Sequence, residues 1–342
     1  MFGIDQSCGE FYRSGLIIAD YAMGSTDRGG WKITPKPDTV DSVMCVCTTP
    51  FVTMRPDETL STHKNLQRVV SAAISNSAIK NVYFDLDQCA KCDPGGLLLL
   101  RYAGEVLSNH GRKGYVTHSG PSESFSTIVE NLNHLWEKTA RRVGDRRDKS
   151  SQAGAQVVSD DGKYLLRAME NRNEMVREIS EWADIVKKGA NARPEEVACW
   201  EMQIAEVATN TFQHGKSERI WVSGHFNRMD SVVQLAAIDY GATIPAVIGP
   251  EATRQCRLGG DGDLIAFACE PGVTSRCVRQ NQGAGLISLI ESVATNRGRM
   301  QILSRNGLFH VNKCRKYRRN LQGRGISLGL SGTLIILCLN VG

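Results

Sequence analysis

The residues of this chain best suited to chemistry lie in the stretch EVATNTFQHG, from Glu206 to Gly215. Glu206, Asn210 and His214 recur at four-residue steps, so on a helix they stack along one stripe. Val197, Trp200, Ile204, Val207 and Thr211 recur at three- and four-residue steps and give the same helix an apolar stripe. One stripe has a core to rest on, and the other offers a carboxylate and an amide to a ligand. A carboxylate and an amide presented together suit a bound magnesium nucleotide.

Other parts of such a site follow in order. After Gly215 come the strand patterns RIWVSGHF and VVQLAAIDY, and the second ends at Asp239, just before Tyr240 and Gly241. An aspartate at a strand end can present its carboxylate to a purine amino group, and Gly241 lets the backbone pass close to a base. Further on lies the segment Gly272-Val273-Thr274-Ser275-Arg276. Gly283, Gly285 and Leu286 then lead into the apolar helix pattern ISLIESVATNRG. Backbone N–H groups at such a helix start can meet phosphate oxygens, aided by the helix dipole. Gly332 and Thr333 open the last strand, where the Thr333 hydroxyl can join a purine contact through water.

The elements that must position these residues fall into two α/β parts. The 342 residues suffice for two domains of roughly 150 residues each. Residues 1–41 lack a sustained period and read as an arm. From 42 to 137 an alternating unit is expected: a strand VMCVCTTPFVTM, a helix over about 60–77, the strand NVYFDLD, a turn at Asp93-Pro94-Gly95-Gly96, the helix LLLLRYAGEVLSNHG, the strand GYVTHSG and the short helix SESFSTIVENLNHLW. Residues 138–162 are charged, small and aperiodic, and read as a linker or mobile insert. The apolar spacing of Leu165, Met169, Met175, Ile179, Trp182 and Val186 predicts a helix over about 163–188 that leads the second domain, 163–342.

Bulk properties narrow the function classes. A formal net charge of +5 is too mild to argue for a nucleic acid or an anionic membrane as partner. The basic segment KCRKYRR, Lys313 to Arg319, reads as an exposed loop between strands rather than a nucleic-acid patch. No run approaches the ~18–20 apolar residues needed to span a bilayer, so a soluble, cytoplasmic protein is expected. The eleven cysteines are scattered among apolar residues and read as buried free thiols, with Cys89 and Cys92 the one zinc-like pair.

Two resemblances organise these observations. Over roughly residues 42–135 the order strand, Asp-x-x-Gly turn, leucine-rich helix, Gly, strand resembles the STAS domain of anti-sigma-factor antagonists. In that family the turn carries a phosphate-accepting hydroxyl; here Asp93 and Gly96 match, but Pro94 and Gly95 stand where the hydroxyl would be. Over residues 190–342 the order Glu-x3-Asn on a helix, Asp-x-Gly after a strand, Thr-Ser-Arg, Gly-x-Gly-Leu into a helix and Gly-Thr at a last strand resembles the GHKL ATPases, a superfamily uniting gyrase B, heat-shock chaperone ATPases, MutL and the histidine and anti-sigma kinases. Ala242 and Thr243 depart from its usual Asp-x-Gly-x-Gly run.

The GHKL resemblance implies an α/β sandwich with a mixed sheet covered by helices, and ATP with Mg²⁺ as ligands. It implies Asn210 on Mg²⁺, Asp239 on the adenine amino group with Thr333 in support, and Gly241 beside the base. Gly283, Gly285 and Leu286 would lie at the phosphates, and residues 246–282, with Thr274, Ser275 and Arg276, would form a mobile lid. Glu206 would polarise the attacking water; His214 would cap or line the pocket. The expected function is a slowly hydrolysing ATP switch whose lid closure controls a protein partner, met through the STAS-like domain, or homodimerisation. The alternatives are a serine/threonine kinase of the anti-sigma type, whose helix EVATNTFQHG resembles most, and a nucleotide sensor that does not hydrolyse.

Overall fold

The computed structural model describes residues 31–35, 41–47, 55–87, 89, 92–118, 157–158, 164–190, 194–214, 217–227, 231–255, 259–273, 285–295, 298–312, 315–320 and 329–340. The chain is mixed α/β, with two sheets, and divides into two compact units: residues 1–92 with 99–155, and residues 93–98 with 156–342.

The first sheet has four strands in the order β1-β2-β3-β4: Trp31–Pro35, Ser42–Cys47, Asn81–Asp85 and Lys113–Thr117. β2, β3 and β4 run parallel, and β1 joins β2 antiparallel. The expected arm thus ends in an edge strand, which too short a run of alternation concealed. Helix α1, Pro56–Ser75, starts earlier than its apolar spacing suggested, because Pro56 opens it and the Glu58 carboxylate accepts the Arg55 N–H at 2.8 Å. Tyr83 and Tyr115 face each other across β3 and β4 with ring centroids 4.8 Å apart. Helix α2 covers Pro94–Asn109, and the expected turn at Asp93 is its cap: the Asp93 carboxylate accepts the Gly96 N–H at 2.8 Å. The expected short helix over 122–136 lies outside the described residues.

The second sheet has eight strands in the order β11-β10-β9-β12-β8-β7-β6-β5, and every pairing in it is antiparallel. The mixed sheet expected here is therefore corrected; the mixed one belongs to the first unit. β5 (Val157–Val158) lies within the stretch read as a linker. β6 (Tyr164–Met169) replaces the first turns of the expected helix. Its Leu165 and Met169 satisfy helical spacing, but the backbone pairs with β7 (Ile220–Asn227) from Tyr164↔His225 to Met169↔Ile220. Helix α3, Arg172–Ala190, begins only after Asn171, whose side chain accepts the Glu174 N–H at 2.9 Å.

β8 is Val232–Asp239, β9 Arg299–Arg305, β10 Gly307–Asn312, β11 Arg315–Asn320 and β12 Leu330–Asn340. β11 is the strand formed by most of the basic segment expected to be a loop, a correction whose cause is its place at the sheet edge, where charged residues replace apolar alternation. Helices α4 (Pro194–Thr209) and α7 (Gly285–Thr295) pack on each other, and α3 packs on α4. Their apolar residues join one core with Val233, Leu235 and Ala237 of β8, Ile335, Leu337 and Leu339 of β12, and Met300 and Ile302 of β9. These alternate positions define the helix-covered face.

Trp182 of α3 shows how closely helix and sheet approach. A Cβ at Gly224 of β7 would lie 2.9 Å from its indole ring. Trp182→Ala is expected to cost about 3–5 kcal/mol, and Gly224→Ala to destabilise the native protein but not the Trp182→Ala variant. Urea unfolding of both single variants and the double variant measures this; additive losses would contradict the packing described.

Candidate functional site

The three central columns on the helix-covered face end in polar residues. Reading along β8 gives Val233, Leu235, Ala237 and then Asp239; β12 gives Leu339, Leu337, Ile335 and then Thr333; β9 gives Met300, Ile302 and then Ser304. Thr333 is opposite Asp239 in one pairing and opposite Ser304 in the other, so the three form a row across adjacent strands. All three are buried.

Asp239 is 4% exposed. Burial pushes its carboxyl up to about 7, although the Gly241 N–H, the Thr333 N–H and the Thr211 hydroxyl all donate to it. The Gly241 contact is 2.9 Å. Gly241 therefore holds the carboxylate through its N–H, and its φ is not in the left-handed region expected of a glycine chosen for conformation. The glycine required here is Gly332, with φ +109 at the bulge of β12; a Cβ there would collide with the Asp239 carbonyl oxygen.

Thr211 reaches Asp239 from the end of α4, where residues Asn210–His214 form a π-helical turn in place of the regular helix expected. Such turns are frequent at functional sites. Within the expected polar stripe, the Asn210 amide nitrogen donates to Glu206 Oε1 at 3.2 Å. That hydrogen bond uses the amide nitrogen of Asn210 and not its amide oxygen. Glu206 is half-buried; burial raises its carboxyl above the ordinary value, against the Asn210 hydrogen bond and the Arg172 charge. Arg172, at the start of α3, is fixed by donating to the Thr209 hydroxyl at 2.8 Å. Val207 and Thr211 are buried as the apolar stripe predicted, but Thr211 also carries a hydroxyl with a use, which the stripe alone did not reveal. The side chains of Val197, Trp200, Ile204 and His214 lie outside those described.

The loop after Asp239 leads straight into α5, Ile244–Arg254. Thr243, one of the two departures noted above, is its cap and accepts the Ala246 N–H at 3.3 Å, with Pro245 in the first turn. Helix α6 (Asp261–Ala268) packs on α5 around Ile248, Ala252 and Phe267. The Asp261 carboxylate accepts from Arg305 Nε at 2.8 Å, from Arg305 Nη2 and from the Asn306 N–H at 2.9 Å. Burial opposes ionisation of Asp261, yet these donors hold its carboxyl below the ordinary value. Much of the expected lid is thus a folded helix pair clamped to the β9–β10 turn. Neither Ser304 nor this clamp was singled out from sequence; the signal available was a serine ending the apolar alternation of β9.

Gly285 is the first residue of α7, and Leu286 rests against the core as a packing residue. Thr274, Ser275, Arg276 and Gly283 lie outside the described residues. Among the described residues no three His, Cys, Asp or Glu side chains gather to hold a metal, and the five cysteines whose side chains are described, Cys89 and Cys92 among them, are buried thiols. Nor is any helix among them long and apolar enough to cross a membrane. Neither a protein-family model nor a curated protein matches the sequence.

The raised Asp239 carboxyl has a consequence for stability. The folded state holds the proton up to about pH 7, whereas the ordinary value is 3.8. Stability is therefore greatest below about pH 4 with respect to this group, and is lost as pH rises through 7. Asp239→Asn is expected to stabilise the protein by up to a few kcal/mol at pH 8 and to give no gain at pH 4. Thermal melts at the two pH values test this; equal or lower stability of the variant at pH 8 would count against a strained carboxylate.

Proposed function

We propose that residues 163–342 form an ATP site of the GHKL type that binds Mg-ATP and hydrolyses it slowly, and that the STAS-like part, 42–137, presents a surface to a protein partner. The observation that carries this reading is the buried Asp239 carboxylate at a central strand end, joined through Thr211 to the turn whose Asn210 is hydrogen-bonded to Glu206 of α4. A buried carboxylate that destabilises the fold is most simply understood as serving a ligand. An adenine amino group donating to Asp239 would satisfy the charge that burial disfavours, with Thr333 in support.

Asn210 would supply one oxygen to Mg²⁺, which commonly takes one or two protein ligands and completes its shell with phosphate oxygens and water. Gly283, Gly285 and their neighbours would meet the phosphates, with Thr274, Ser275 and Arg276 as further contacts. Glu206, whose carboxyl burial raises above the ordinary value, would take a proton from the attacking water. Residues 246–282, the lid that the resemblance implies, would close over the nucleotide. Closure would change the surface offered to a partner or a second copy.

Glu206→Ala is expected to keep ATP binding and lower turnover by about 10²–10⁴-fold, whereas Asn210→Ala and Asp239→Ala abolish binding. Calorimetry with ATP and Mg²⁺, alongside release of label from γ-labelled ATP, measures both. Tight binding retained in both Asn210→Ala and Asp239→Ala would sink the site assignment. Label on a protein rather than in free phosphate would replace hydrolysis by kinase activity. Native ATP affinity is also expected to rise as pH rises from 6 to 8, because only the ionised Asp239 accepts a hydrogen bond from an amino group at both oxygens.

A further inference from the structure

Ser304 is fully buried in β9, opposite Thr333 of β12. Its hydroxyl has three neighbours: the Ile244 N–H donates to it at 3.0 Å, it donates to the Gly332 carbonyl at 2.9 Å, and the Thr333 hydroxyl oxygen lies 3.0 Å away. A serine hydroxyl has one proton and two lone pairs. The Ile244 N–H can only donate and the Gly332 carbonyl can only accept, so the proton goes to Gly332 and one lone pair goes to Ile244. The third contact is then satisfied only if Thr333 donates. The proton of Thr333 is spent inward, and its oxygen keeps only lone pairs for anything outside.

We propose that Ser304 is a positioning residue that sets the hydrogen-bond polarity of Thr333 and so makes the base end of the site accept only. Beside an ionised Asp239, which also accepts, such a surface takes a purine whose 6-position faces both acceptors and carries an amino group, since the two protons of that group can meet both. A 6-oxo purine would set its own acceptor against two others. This rests on the reading that a nucleotide base docks at Asp239; it adds the residue that fixes the choice of base. Unpaired buried acceptors are the means by which polar sites reject near-isosteric ligands.

The test uses the full chain at pH 8 with Mg²⁺ and compares dissociation constants for ATP and inosine triphosphate. The native protein is expected to prefer ATP. In Ser304→Ala the Thr333 proton is free to turn outward toward an oxo group, so the ratio of the two constants is expected to fall about tenfold, the scale of one modest hydrogen bond. A residue that served only the fold would weaken both nucleotides alike, and an unchanged ratio overturns the proposal. Should Ser304→Ala not fold, Thr333→Val carries the test: it removes the outward acceptor, so ATP weakens, inosine triphosphate does not, and the ratio again falls. An unchanged ratio there also overturns it. Equal affinity of the native protein for both nucleotides refutes the polarity role alone, whereas binding of neither refutes the nucleotide site itself.

Discussion

The second unit is arranged around one unfavourable group. The Asp239 carboxylate is buried at the end of a central strand, and burial acts against its charge more strongly than three donors act for it. Those donors come from three separate places: Gly241 in the following loop, Thr333 in β12 and Thr211 in the turn after α4. To hold them, β12 bulges and takes a positive φ at Gly332, and α4 gives way to a π-helical turn. Each distortion has a cost in an otherwise regular fold. They converge on one carboxylate.

The same row ties the site to the helix pair that follows it. Ser304 holds the first backbone N–H of α5, while its neighbours Arg305 and Asn306 hold Asp261 at the start of α6. Consecutive residues of one tight turn therefore grip the beginnings of both helices. The small core of Ile248, Ala252 and Phe267 completes the attachment. Thr243 fits this arrangement, since its hydroxyl accepts the Ala246 N–H at 3.3 Å, a bond that glycine has no side chain to make.

What the sequence disclosed follows from how far apart the interacting residues are. Glu206 and Asn210 were legible because the pair is local and four residues apart on a helix. Asp239 was legible because it closes a long apolar strand and precedes a glycine. β6 was read as helix because Leu165 and Met169 suit either period and the residues between them are good helix formers; the decision lies with hydrogen bonds to β7, over fifty residues away. Asn171 with Glu174 was the missed start signal. Ser304 was invisible because its importance depends on a partner in β12 whose register shifts at the bulge.

The π-helical turn joins two kinds of chemistry at adjacent residues. Asn210 faces Glu206 through its amide, and Thr211 faces Asp239 through its hydroxyl. In the proposed site the first pair attends the metal and the water, and the second attends the base. A base that donates to Asp239 favours its ionised form, and an ionised carboxylate holds the Thr211 hydroxyl more strongly than a neutral one. The backbone of Thr211 is one peptide from that of Asn210. Base recognition would thereby stiffen the position of the magnesium ligand, and a nucleotide with the wrong base would be held with its metal less well placed, even with its phosphates fully bound.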